Sequence, residues 1–148
     1  MPLSVYTLEK LKNDSSFKKF EYNEELSKKD IQELVDILEF KNSLEEVYLF
    51  GCSIDDEGVQ LLLKLKFIKN LSLQENFISD KGVITLINNL SLDRLELGGN
   101  GNITDESAKV LSKSALKYLA VNYTGITDDG AKFLAESKSI TSLDMSDN

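Results

Sequence analysis

The residues best suited to chemistry come in short polar phrases: Asp55-Asp56, Ser79-Asp80, Thr104-Asp105 and Thr127-Asp128-Asp129. Paired carboxylates suit acid–base work when their surroundings push their pKa values apart, and carboxylate oxygens suit calcium. No calcium-loop spacing follows any of these pairs. The one thiol, Cys52, is a nucleophile only if something activates it, and the chain contains no histidine. That removes Ser–His–Asp and Cys–His catalysis together with histidine metal ligation. The stretch GGNGN at 98–102 has the glycines of a phosphate loop but lacks the Gly-Lys-Ser/Thr ending. The sequence therefore leads us to expect no catalytic residue, no metal site, no cofactor and no enzyme activity.

The acidic phrases recur because the chain repeats. Four units begin 24 residues apart, at 44–67, 68–91, 92–115 and 116–139, and a fifth, 140–148, stops partway. The first, fourth and sixth places are apolar: Leu44, Val47, Leu49; Ile68, Leu71, Leu73; Leu92, Leu95, Leu97; Leu116, Leu119, Val121; Ile140, Leu143, Met145. The alternation of the fourth and sixth places is that of a strand with one buried face. The ninth place holds Cys52, Asn76, Asn100, Thr124 and Asn148, small side chains able to bond peptide groups where the chain leaves the strand. An inward isoleucine follows (Ile54, Ile78, Ile103, Ile126), then the polar phrase. Ser, Thr and Asp cap helix N-termini well, and acids suit the positive end of the helix dipole. The acidic pairs are thus expected to cap helices rather than react. Gly58, Gly82 and Gly130, replaced by Ser107 in the third unit, predict a close approach of helix start to strand layer. GGNGN adds one residue before Ile103, and a bulged turn is expected there.

This pattern, L-x-x-L-x-L-x-x-N-x-I followed by a helix, resembles the leucine-rich repeat family. The S/T-D-x-G helix opening is similar to the subtypes of ribonuclease inhibitor, F-box adaptors and effector proteins of intracellular bacteria. The resemblance implies an α/β fold, a right-handed horseshoe solenoid with a parallel β-sheet on the concave face and helices on the convex face. Residues 17–148 would form the repeats, with a divergent first unit at 17–43. There Phe17, Phe20 and Tyr22 take the apolar places, and Ser27 with Asp30 forms a capping arrangement ahead of Ile31, Leu34, Val35 and Leu38. Residues 1–16, with Val5, Leu8 and Leu11 at helical spacing, read as an N-terminal capping helix. The last strand, ending at Asn148, is expected to present an open edge able to pair with another chain, and truncation is the favoured account of that ending.

Function is then expected on the outward strand places and the residues beside them. The partner-binding set is Glu46, Tyr48 and Phe50; Ser72 and Gln74; Arg94 and Glu96; Tyr118, Asn122 and Tyr123. Tyr48, Phe50, Tyr118 and Tyr123 are the anchors, since aromatics dominate interface energies and a sheet's outer face does not require them. The resemblance implies a noncatalytic protein-interaction module and, from style alone, a bacterial effector acting on a host protein. A substrate-recognition adaptor of a ubiquitin-ligase-like complex is the alternative.

Charge narrows the partner. In 148 residues, 17 basic and 25 acidic side chains give a net charge of −8. An acidic surface disfavours nucleic acid and anionic lipid, so a protein partner with a basic surface is expected, with no nucleic acid and no membrane. One cysteine forms no internal disulfide, and the start, MPLSVYTLEKLKND, lacks a signal-peptide core. A cytoplasmic location is expected, or delivery into a host cell without a classical signal.

Overall fold

The computed structural model describes residues 9, 11–14 and 16–148. Its strands are β1 (Lys19–Tyr22), β2 (Glu46–Leu49), β3 (Asn70–Ser72), β4 (Arg94–Glu96), β5 (Tyr118–Ala120) and β6 (Ser142–Asp144). Between them run α1 (Lys28–Leu38), α2 (Asp56–Leu62), α3 (Asp80–Asn89), α4 (Asp105–Leu111) and α5 (Asp128–Ala135). Each strand pairs in parallel with the next, giving one sheet in sequence order. Of the proposed N-terminal helix, Val5 and Leu8 lie outside the described residues, while 11–13 are helical and Leu11 is buried.

The repeat arithmetic sets the register. Phe20, Val47, Leu71, Leu95, Leu119 and Leu143 stand opposite one another along the sheet. Leu49, Leu73, Leu97 and Val121 stack beside them, and from Val47 to Val121 these core residues are at most 1% exposed. Burying each such side chain contributes roughly 1.5–3 kcal/mol, so the shared core is what joins the units. Ser27 and Asp30 form a reciprocal capping box on α1, and Asp55, Ser79, Thr104 and Thr127 cap the helices that follow.

Two side-chain ladders cross the repeats and fix the turns between strand and helix. In the first, Asn76 accepts from the Ile54 N–H at 2.9 Å and donates to the carbonyls of Leu49 (2.8 Å) and Gln74 (2.9 Å). Asn100 does the same for Ile78, Leu73 and Leu97. Cys52 fills its rung with long thiol contacts to the Tyr22 and Phe50 carbonyls, at 3.4 and 3.5 Å. The third unit departs from this scheme. Its extra residue lets the Ile103 N–H reach the Asn100 carbonyl (3.1 Å), so that turn is closed from within. The next unit accordingly carries Thr124 instead of asparagine, and the Gly125 N–H bonds the Ile103 carbonyl at 2.8 Å. A side chain on Gly125 would press against that carbonyl.

The second ladder uses the acids. Asp56 accepts from the N–H and hydroxyl of Ser79 in the next repeat, at 2.9 and 2.6 Å. Asp80 receives the same pair from Thr104 and a further pair from Ser107, and Asp105 receives Thr127. The close approach predicted at the helix glycines is therefore, at Gly82 and Gly130, to a neighbouring carboxylate and the unit's own isoleucine, and at Gly58 to Ile54 and to Ile31 of the preceding helix. A Cβ on Gly82 would run into Asp56 and Ile78, and one on Gly130 into Asp105 and Ile126. Ser107 replaces that contact with a hydrogen bond to Asp80.

Candidate functional site

The open face of the sheet has two regions, a floor made by the strands and a rim where the chain leaves them. On the floor, Arg94 and Tyr118 are register partners, and the guanidinium lies 3.5 Å from the ring centroid. Arg94 also pairs with Glu96, its Nε donating at 2.7 Å, and Gln74 donates to the other Glu96 oxygen at 2.6 Å. Lys19 sits 4.6 Å from the Tyr48 centroid, and the Tyr48 hydroxyl donates to Glu46 at 2.9 Å. Burial, and then the Glu46 carboxylate, push the Tyr48 pKa up. Lys19 in turn pairs with Glu21 at 2.6 Å.

Most of the floor residues named from the sequence are thus tied to one another. Tyr48, Gln74, Arg94, Tyr118, Asn122 and Glu46 are half-buried, and their polar groups largely answer each other. Ser72 and Glu96, placed outward by the strand alternation, are only 4% and 7% exposed. Longer neighbours lie over them: Arg94 and Gln74 hold the Glu96 carboxylate from either side.

The rim is different. Phe50 is 51% exposed and Tyr123 56%, and a third aromatic, Phe77, is 65% exposed. Phe77 follows the ladder asparagine in the tenth place, outside any strand, so an outward-strand rule passes over it. The eighth place of every unit from 44 onward is left-handed: Gly51, Glu75, Gly99, Tyr123 and Asp147 have φ between +52° and +77°. Glycine takes that conformation freely, whereas a bulky residue costs about 1–3 kcal/mol there. Tyr123 is held in it nonetheless, with its hydroxyl bonded to Asp147, which raises its pKa.

The turns and first helical turns along this rim are rich in acids, from Glu24 and Glu25 to Asp128 and Asp129, with Lys28, Lys29 and Lys81 among them and Lys132 paired to Asp129 at 2.6 Å. The opposite rim neutralises itself. There Lys18, Glu45, Lys69, Asp93 and Lys117 alternate in sign along one hydrogen-bonded row, with ion pairs Lys18–Glu45 (3.5 Å) and Lys117–Asp93 (3.0 Å). Phe40 and Phe67 are exposed on that side.

Reactive chemistry is poorly served. Burial pushes the Cys52 thiol up to about 11, far from the thiolate a nucleophile needs. Among the described residues no group of three or more acids or cysteines is placed to hold a metal ion.

The leucine-rich-repeat family pattern matches residues 40–63, 88–112 and 114–135. The fold is a leucine-rich-repeat solenoid. Among solved structures, this solenoid is similar to that of leiomodin-1 actin-binding site 2. Identity is 21% and the TM-score 0.66, over 91% of this chain and 90% of that one. It is also similar to the tropomodulin C-terminal domain of Caenorhabditis elegans, at 16% identity and TM-score 0.66, over 88% and 87%. No curated protein matches the chain.

Proposed function

We propose that this chain is a noncatalytic protein-interaction module that receives a protein partner on the strand side of the solenoid. The observation that carries this reading is the pair of exposed aromatics, Phe50 and Tyr123, on backbone fixed from beneath by the repeat ladders. Core packing gains nothing from either ring, and rigid exposed aromatics bind at low entropic cost. The absence of histidine from the chain and the high pKa of Cys52 support the noncatalytic part.

The test is a quantitative pull-down from eukaryotic cytosol with three proteins: wild type, Phe50→Ala/Tyr123→Ala and Tyr48→Ala/Tyr118→Ala. Folding of each is checked by circular dichroism. A partner lost from either folded variant supports the strand side as the binding surface. An identical partner list from all three would overturn it. The same capture tests an effector's host partner, and recovery of ligase subunits would favour the adaptor alternative. Because the leiomodin-1 domain is an actin-binding site, purified actin is a further arm.

A further inference from the structure

Between Phe77 and Tyr123 the rim drops into a saddle. The third unit contributes Gly98, Gly99 and Gly101 there; the Asn122 amide lies over Gly98, while Gly101 is exposed and has Gly125 beside it in the next unit. Two strand spacings separate the units of Phe77 and Tyr123, so the saddle is roughly 10 Å wide. The Glu75 carboxylate lies on its surface: a side chain on Gly99 would collide with it. Glu75 is exposed and makes no ion pair among the described residues, and its charge reaches the Tyr123 hydroxyl. The walls are rigid, since the Phe77 N–H is bonded to the Ile54 carbonyl (2.8 Å) and the Glu75 N–H to the Gly98 carbonyl (2.8 Å).

Resting on the reading of the chain as an interaction module, we propose that the partner is a segment combining lysine or arginine with apolar side chains. It docks on the strand-exit rim, its cation in the saddle on Glu75 and its apolar groups against Phe50, Phe77 and Tyr123. A cation there meets a carboxylate and stands between two aromatic walls, which attract it further. The acidic turns on either side repel phosphate, so nucleic acid and anionic membrane are poor occupants. The floor contributes less, because Arg94, Glu96 and Tyr118 are already joined to each other.

The experiment is fluorescence anisotropy at physiological salt with the full chain and three labelled peptides of equal length. One is an amphipathic lysine–leucine peptide, one replaces leucine by serine, and one replaces lysine by glutamate. The lysine–leucine peptide is expected to bind saturably and at least tenfold tighter than the other two. Phe77→Ser should weaken it about tenfold and Glu75→Gln several-fold, with thermal midpoints unchanged because both side chains are exposed. Equal binding of the serine peptide, indifference to both variants, or no saturable binding would overturn the proposal. If Tyr48→Ala/Tyr118→Ala abolishes partner capture while Phe77→Ser does not, the interaction module stands and the rim placement falls.

Discussion

The floor and the rim lie within a few residues of each other in every repeat, yet they use their side chains in opposite ways. On the floor, Arg94, Glu96, Gln74 and Tyr118 satisfy one another, so the surface is well ordered and offers few unmatched groups. On the rim, the satisfied groups are underneath: Asn76, Asn100 and the aspartates bind the backbone, and Phe50, Phe77 and Tyr123 are left exposed above them. Polar complementarity directed inward makes a structural surface. Polar complementarity beneath an aromatic layer leaves the rings exposed on a fixed backbone. The aromatics named from the sequence divide along this line.

The largest effect should come from removing the rim's foundation. Asn100→Ala leaves the Ile78 N–H and two carbonyls unpaired in a site with no exposure. At about 1–3 kcal/mol for each such group, a loss of 3 kcal/mol or more in urea unfolding is expected. Thr124→Ala should cost about 1 kcal/mol, since the third unit closes its own turn. Comparable losses from the two variants would mean that the ladder is not what supports the rim.

Next in size is the floor. Arg94→Ala strips Glu96 of its cation and bares the Tyr118 ring, and a loss of about 2 kcal/mol is expected in the same measurement. No loss would show that the floor network is ornamental. A smaller contrast is set by pH. Thr127 bonds hold the Asp105 carboxyl below its ordinary value. Burial pulls the Asp80 carboxyl up, but bonds from Ser107 and Thr104 outweigh it and leave it low. A depressed folded pKa stabilises the fold above the unfolded value, near 3.9, and that contribution fades as pH falls through the folded one. Asp80→Asn/Asp105→Asn should therefore show a shallower loss of urea midpoint between pH 5 and pH 2 than wild type. An equally steep loss would place the acid sensitivity elsewhere.

The smallest expected change is the most diagnostic. Tyr123→Gly removes an aromatic from a left-handed position and should leave stability unchanged or raise it by up to about 1 kcal/mol, while weakening partner binding. A clear destabilisation would make Tyr123 a structural residue.

Much of this is legible in the sequence. The 24-residue period aligns Val47, Leu71, Leu95 and Leu119 as one core row, and the Ser27–Asp30 capping box is visible in its spacing. The pairing on the floor is legible too, since Arg94 and Tyr118 differ by one period. The second ladder is less so: Asp56, Asp80 and Asp105 read as acids for their own helices, and only the stacking distance shows that they serve the next helix. Phe77 is hidden for a different reason. Strand alternation says nothing about where a side chain points after the chain has turned, so the outward rule ends one step before the residue that extends the rim.

The self-closed turn of the third unit has a consequence for how such a chain can change. Asn76 and Asn100 each close the turn of the unit before their own. The third and fourth units have left that convention together: an inserted residue, a threonine and a glycine form one linked character spread over 25 positions. A duplication or deletion whose breakpoint falls between Asn100 and Gly125 would strand half of it, so only a change that moves both units together keeps every turn closed.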